Sequence, residues 1–334
     1  MQNKKSSKPL VSVCFITYNH VSFIKDAIEG FLMQKTNFPY EIIIHDDAST
    51  DGTSEIVKEY ADKYPDLIVP ILQKENQYSK KGVGILRDFI YPRTKGKYIA
   101  FCEGDDYWTD PLKLQKQFDF MEKYPDCSMC FHRSKIEFYS KKKNSKTIKK
   151  IGQESKRFNF TFFPENKLFY EGGSRVPSAT MFYRTKYMNT LPNWYFNCPV
   201  GDMPLKLYLS QMGRIGYLDE VMGVRRLGIK GSWNDRIKKD QQMRIEYLNG
   251  MIDMLLQFNK FSNFKYEEEI FVKIYNYDIQ RIQKKERESI FVKEQSHFKN
   301  LDFVKKMVVK LLVNYPYIFR IKIFAKVLFV IIRK

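Results

Sequence analysis

Apolar runs and helical periodicities alternate through the first third of the chain. Residues 10–17 (LVSVCFIT) form a short β-branched run of the kind buried on both faces in a parallel sheet. Tyr18-Asn19-His20 breaks it, and Phe23, Ile24, Ala27, Ile28, Phe31 and Leu32 follow at helical spacing. Residues 41–45 (EIIIH) predict a second strand that stops at Asp46-Asp47. Ser49-Thr50-Asp51-Gly52-Thr53 is rich in capping residues and opens a helix with Ile56, Val57, Tyr60 and Ala61 on its apolar side. Residues 67–72 read as a third strand, and a loop and helix lead on to Tyr91. Residues 97–102 (KYIAFC) then predict a strand ending at Glu103-Gly104-Asp105-Asp106. Asp110-Pro111 supplies an N-cap and first-turn proline for a helix over 112–124, expected to bury Leu112, Leu114, Phe118 and Met121 or close neighbours.

Past Cys127 the rhythm changes. The basic run 141–150 reads as an exposed hairpin tip or loop, 179–184 and 216–225 as strands, and a helix begins near Asp202. From Asp235 the pattern is helical, which places a boundary near 231–235. Residues 1–233 are expected to form one catalytic α/β domain and 234–334 a basic helical extension. The fold class predicted is a mostly parallel, doubly wound sheet flanked by helices. Such sheets bind ligands beyond the carboxyl ends of their strands, where both acidic clusters fall.

Composition adds a core and a charge. With 43% hydrophobic and 16% aromatic residues, the chain can bury a full interior. A formal charge of +19 calls for an anionic partner: nucleic acid, a membrane surface or a nucleotide diphosphate. The five cysteines are odd in number and scattered, and Cys127 and Cys130 have no second pair or nearby histidine to complete a zinc site. Reduced core thiols and a cytoplasmic location are expected. Residues 1–9 lack the apolar segment of a secretory signal, and no run of eighteen uncharged apolar residues predicts a membrane span. His45 and His132 sit in strand patterns and read as core or rim histidines rather than ligands.

The acidic strand ends carry the candidate chemistry. Adjacent carboxylates repel, so folding alone does not favour Asp105-Asp106. A divalent cation, Mg or Mn, removes the conflict and bridges to phosphate oxygens. The plain alternative is a solvated acidic turn. Asp46-Asp47-Ala48-Ser49 suits either ordinary capping or a carboxylate that accepts hydrogen bonds from a nucleotide, with Tyr18 offering a stacking face on the same rim.

Residues 11–20 (VSVCFITYNH), 46–53 (DDASTDGT) and 95–113 (KGKYIAFCEGDDYWTDPLK) resemble the family 2 glycosyltransferases. These are inverting enzymes of the GT-A fold that use nucleotide-activated sugars. The resemblance is dense over 10–133, thinner to 233 and absent beyond. It implies that Thr17 and Tyr18 line the nucleotide pocket, that Asp46 or preferably Asp47 contacts the base, and that Arg87 lies near the nucleotide. It also implies that Asp105 and Asp106 form the DxD-like metal motif, with Asp106 the preferred direct ligand. Asp202 is the preferred catalytic base, which takes the acceptor hydroxyl's proton; a simple helix cap is its alternative. One departure is clear. Relatives often carry Tyr-Arg-x-His before a Gly-x-Trp closing loop, whereas this chain reads Val224-Arg225-Arg226-Leu227-Gly228 and then Gly231-Ser232-Trp233. The histidine is missing, and Arg225 and Arg226 are candidates to neutralise a diphosphate.

The expected partners are a nucleotide-sugar donor and a glycan or lipid-linked acceptor, with no nucleic acid. Residues 304–334 interleave apolar groups with Arg320, Lys322 and Lys326, which suits either an interfacial helix at the inner face of an anionic membrane or a helix packed on the domain. Two rival readings stand beside the transferase. A sugar nucleotidyltransferase needs a glycine-rich basic loop after the first strand, which Thr17-Tyr18-Asn19-His20 does not supply. A nonenzymatic basic binding module accounts for the charge but leaves the paired carboxylates without a purpose.

Overall fold

The β-branched run near the N-terminus becomes the centre of the sheet. In the computed structural model, which describes residues 8–141, 147–155, 157–170 and 176–281, β1 (Val11–Thr17) pairs in parallel with β2 (Tyr40–Asp46) on one side and β4 (Tyr98–Glu103) on the other. β3 (Ile68–Leu72) extends the parallel half beyond β2. The chain therefore reverses its direction of winding between β1 and β4, and a crevice opens at their carboxyl ends.

A short strand, β9 (Phe182–Arg184), runs antiparallel to both β4 and β6 (Cys127–Lys141) and joins the two halves. In the second half β6 and β10 (Arg214–Leu227) pair in parallel. β5 (Tyr107–Trp108) and β8 (Phe162–Phe163) lie antiparallel on β10, and β7 (Thr147–Glu154) folds back on β6 with Lys141 opposite Thr147. The order is β3-β2-β1-β4-β9-β6-β10-β5. The expected α/β class, a mostly parallel sheet with helices on both faces and a helical C-terminal part, is what the chain forms.

Strand alternation divides the interior. Val11, Val13 and Phe15 of β1 face α1 (Ile24–Leu32), α2 (Thr53–Lys63) and α4 (Lys113–Lys123). Cys14 faces the other way, into a core shared with α6 (Asp202–Met212), α8 (Gln241–Phe261) and α9 (Glu267–Arg281). Met251, Met254, Leu255, Phe258, Ile270 and Ile274 belong to this second core. The change near residue 233 is thus one of secondary structure, and the core continues across it. Three short helices complete the connections: α3 (Tyr78–Lys81), α5 (Asn193–Phe196) and α7 (Trp233–Lys239). The tip of the basic run and the tail 304–334 lie outside the described residues.

The helix before β6 buries Leu114 and Met121 as expected, with Lys113 and Gln117 buried in place of their neighbours Leu112 and Phe118. It begins at Lys113, leaving Leu112 at 43% exposure, and Phe118 is only half-buried. The buried face is Lys113, Leu114, Gln117 and Met121. Lys113 Nζ donates to Gln117 Oε1 at 2.7 Å and lies 3.7 Å from the centre of the Trp108 ring. A lysine and a glutamine that satisfy each other can replace apolar residues in a core, and no hydropathy rule detects the pair. Desolvation pushes the Lys113 ammonium down to about 7. All five cysteines are buried free thiols, as expected.

Truncation of Leu114 to Ala should cost about 2–5 kcal/mol because it empties a fully buried site. Leu112→Ala should stay within about 0.5 kcal/mol of wild type. Urea unfolding of the two variants checks this, and equal losses would contradict the helix's orientation.

Candidate functional site

The loops after β1 and β2 are laced together by short polar side chains. Ser49 Oγ accepts from Asn19 N–H at 2.8 Å, Thr50 N–H donates to Asn19 Oδ1 at 2.8 Å, and Thr53 Oγ1 accepts from His20 N–H at 2.9 Å. Asp51 accepts from Val21 N–H and from the hydroxyl and N–H of Thr53. The short polar residues read from the sequence as caps therefore join two strand ends, while α2 itself begins after Gly52 with no side-chain cap. Tyr18 projects from this knot at 40% exposure, and Thr17 is buried with its hydroxyl 3.1 Å from His20 Nδ1.

Both carboxylates at the end of β2 are buried and hydrogen-bonded. Asp46 accepts from the hydroxyls of Ser49 and Ser54 and from Ser49 N–H. Asp47 accepts from Gln77 N–H at 2.7 Å and Tyr78 N–H at 3.0 Å, and so caps α3. Arg87, on the wide turn Leu86–Ile90, is bonded to Asp88 and lies 4.6 Å over the Phe196 ring.

At the end of β4, the carboxylate oxygens of Glu103, Asp105 and Asp106 lie within 4.8 Å of one another. The turn that gathers them requires glycine: a Cβ on Gly104 would sit 2.2 Å from His20 Nδ1 and 2.6 Å from Thr17 Oγ1. Crowding has an electrostatic consequence. Desolvation first, then Asp105 and Asp202, push the Glu103 carboxyl up to about 8. Desolvation, Asp105 and Glu103 raise the buried Asp106 well above the ordinary range. Asp106 Oδ1 accepts the Arg226 N–H at 2.8 Å, which leaves its second oxygen for a further partner.

The two arginines of β10 point to opposite sides of the strand. Arg226 is buried: its guanidinium donates to the Asp105 carbonyl at 3.1 Å, pairs with Asp26 and Glu137, and lies 4.2 Å from the Tyr107 ring centre. It secures the turn from behind. Arg225 is half-buried, and its charge lowers the pKa of the Glu103, Asp106 and Asp202 carboxyls, so it stands on their side of the strand.

Asp202 begins α6, close enough to Glu103 for the two charges to oppose each other. Its Oδ2 accepts from Nζ of the fully buried Lys206 at 2.7 Å. Burial works upward on this carboxyl, but the Lys206 ammonium and the Met203 N–H outweigh it and hold it below the ordinary value. The structure thus brings Thr17, Asp105, Asp106 and Asp202 to one rim, with Tyr18 beside them. Asp46 and Asp47 lie beneath their own loops. Lys206 and the third carboxylate, Glu103, were given no role from sequence. Spacing of four residues from Asp202 is the signal for Lys206, and proximity to the Asp-Asp pair is the signal for Glu103. His45 and His132 are buried, each with one ring nitrogen near a partner and the other unpaired.

The family model described as Glycosyl transferase family 2 matches residues 12–191. An uncharacterized protein of Mycobacterium tuberculosis is 34% identical over 234 residues, 67% of this chain and 60% of that one. The Escherichia coli UDP-Glc:alpha-D-GlcNAc-diphosphoundecaprenol beta-1,3-glucosyltransferase WfaP is 38% identical over 113 residues, 34% of this chain and 41% of that one. The chain spans about 60% of the length of the mycobacterial relatives and less of the others. Among solved structures, Staphylococcus aureus TarS 1–349 with UDP superposes at a TM-score of 0.54 and 16% identity, over 93% of this chain and 81% of that one. The mannosyltransferase PcManGT of Pyrobaculum calidifontis, with GDP-Man and Mn2+, gives 0.51 and 13% identity over 96% and 83%. Both likenesses concern the fold.

Glu103 holds its proton more tightly in the folded chain, at about 8, than at its ordinary 4.5. Its contribution to stability is full below 4.5 and is lost as the pH rises toward 8. In metal-free buffer, wild type should therefore lose resistance to urea across that window, and Glu103→Gln should flatten the profile. Superimposable profiles would show that the carboxylates do not compete for a proton.

Proposed function

Because the chain belongs to glycosyl transferase family 2, we propose that it moves one sugar, with inversion, from a nucleotide-sugar donor to a hydroxyl of a glycan or lipid-linked acceptor. The observation that carries this reading is the carboxylate trio at the end of β4 with Asp202 facing it across the rim.

The trio fits a divalent cation. It offers hard oxygen ligands within one coordination sphere, and Asp106 retains an unengaged oxygen. Asp105 and Asp106 would hold Mg or Mn, with Glu103 the third donor. Bound there, the ion would neutralise the charge that develops on the departing diphosphate. Arg225 is placed to draw the same phosphates toward the rim.

The remaining roles follow from position. Tyr18 presents an open ring face on which a base can stack. Asp47 has one backbone N–H on each oxygen, yet a carboxylate oxygen accepts more than one hydrogen bond, so Asp47 can still take a base N–H. Asp46 holds the loop beneath it, Thr17 is assigned to the border of the pocket, and Arg87 is assigned there by the resemblance alone. Lys206 keeps Asp202 ionised near neutral pH. Asp202 takes the proton of the acceptor hydroxyl as that oxygen attacks the anomeric carbon from the side opposite the diphosphate. Direct displacement in this geometry inverts the centre.

The solved relatives named above carry UDP or GDP-Man with Mn2+, and WfaP is named for a UDP-Glc donor and a diphosphoundecaprenol acceptor. A nucleotide sugar and a lipid-carried glycan suit this chain on that pattern. The charge of +19 suits work against the anionic inner face of a membrane. No described helix is long and apolar enough to cross one.

A thermal-shift screen of UDP- and GDP-sugars should find stabilisation by one donor, and only with Mn2+ or Mg2+. Asp106→Ala should abolish transfer while the far-UV spectrum stays native. Nucleoside diphosphate should accumulate; pyrophosphate in its place would mean a nucleotidyltransferase.

Asp202→Asn should lower kcat by about 10²–10⁴-fold with donor affinity preserved. Lys206→Met should shift the acid limb of the kcat–pH profile upward, because the ammonium that holds Asp202 low is gone. An unmoved limb would separate Asp202 from the rate-determining proton transfer.

A further inference from the structure

One segment, residues 77–90, joins the carboxylate at the end of β2 to the loop that delivers Asp202. At its start, the two oxygens of Asp47 accept the N–H groups of Gln77 and Tyr78. The Tyr78 side chain makes the next link, donating its hydroxyl to the Pro199 carbonyl at 3.1 Å. Farther along, Val83 and Leu86 pack against Gly201: a Cβ there would lie 3.4 Å from Val83 Cγ1 and 3.8 Å from Leu86 Cδ1. Arg87 ends the contact, 4.6 Å over the Phe196 ring. The segment thus meets residues 196–201 at three places, and Asp202 follows directly.

The far side of the loop is closed by α8. A Cβ on Gly250 would lie 2.8 Å from Pro199 Cδ, so glycine permits an approach that a side chain would prevent. Cys198 Sγ lies 3.8 Å from Met251 Sδ on the same helix. Between α8 and residues 77–90 the loop is held largely by apolar packing, which has no preferred direction. The Tyr78 bond to Pro199 is directional, and so can fix the loop where packing alone lets it slide. Burial pushes the Tyr78 phenol up to about 12, so its hydroxyl keeps the proton it donates at neutral pH.

We propose that Tyr78 is a positioning residue for Asp202: anchored through its own N–H by Asp47, it fixes the loop at Pro199 and thereby aims the Asp202 carboxylate at the acceptor hydroxyl. This deepens the reading of Asp47 as a nucleotide contact and of Asp202 as the catalytic base, and rests on both. A nucleobase bonded to Asp47 shares the carboxylate that anchors Tyr78, so the seating of the donor bears on the placement of the base. Small displacements of a proton acceptor cost rate far more than they cost binding, which makes kcat the quantity that Tyr78 governs.

Two measurements on the full chain test this. The first is alkylation of Cys198 by iodoacetamide, located by peptide mass spectrometry, because this buried thiol is reached only when the loop opens. Tyr78→Phe keeps the ring, removes the bond to Pro199 and should raise the rate about three- to tenfold. Asp47→Asn should raise it as well. Tyr40→Phe removes a phenol-to-carbonyl bond of the same kind at the start of β2 and should leave the rate unchanged. The second is the kcat for nucleoside diphosphate release with Mn2+ from UDP-glucose, UDP-N-acetylglucosamine and GDP-mannose, with water as acceptor. Tyr78→Phe should lower it about three- to tenfold, with the donor KM changed less than about twofold. In the Asp202→Asn background the same substitution should have no further effect, since no carboxylate is left to aim. An unchanged Cys198 rate or kcat in Tyr78→Phe, or an equal loss of kcat in both backgrounds, overturns the proposal while Asp202 keeps its role. Asp202→Asn with wild-type kcat removes the base assignment, and wild type that releases no nucleoside diphosphate removes the transferase reading; either takes the role of Tyr78 with it.

Discussion

Three carboxylates at the end of one strand repel one another, and the surrounding structure is arranged to hold them together. Glu103, Asp105 and Asp106 crowd within 4.8 Å because Gly104 lets the turn close against Thr17 and His20. Arg226 then binds the turn from behind through its backbone N–H and its guanidinium. The same side chain engages Asp26 on α1 and Glu137 on β6, while Tyr107 donates to Glu137 at 3.0 Å. One buried cation therefore ties the acidic turn to a helix and two strands. A buried arginine with several acceptors tolerates such a position, whereas an unpaired one would be costly.

The opposing face of β10 completes the balance. Strand alternation turns Arg225 toward the carboxylates that Arg226 supports from the other side. Lys206 performs a similar service for Asp202 from within α6. Four acidic groups thus stand among three cations, of which two are buried and structural and one faces the site. This arrangement separates the acidities. Desolvation and then the neighbouring negative charges make Glu103 and Asp106 weaker acids, and Lys206 makes Asp202 a stronger one. Four carboxyl groups of one chemical type are thus set apart by their surroundings.

Much of this was legible in the chain before folding. The run 10–17 and the abrupt stops at Asp46 and Glu103 mark parallel strands whose ends face a crevice, because a strand buried on both faces has no polar alternation and must end where polarity returns. The helix over 112–124 was legible in place but not in orientation. Its buried face carries Lys113 and Gln117, which the core accepts because they bond to each other, Gln117 donates to the Thr180 carbonyl and Lys113 lies over the Trp108 ring. Arg225 and Arg226 read as two equivalent cations, and only the pleat of β10 separated them. The hydroxyls of Ser49 and Thr53 read as caps and instead bridge two loops.

By itself the sequence determined local matters: which segments are strands and helices, where strands stop, and that acidic pairs sit at those stops. These follow from side-chain periodicity and from the conformational limits of glycine, proline and short polar residues, which act over a few positions. Tertiary structure decided which distant residues meet. Asp202 reaches Glu103 from about a hundred positions away, Arg226 reaches Asp26 from two hundred, and Gly250 admits α8 to Pro199. Such pairings depend on how two cores pack on opposite faces of one sheet. That packing is a property of the whole fold, and no window of the chain contains it.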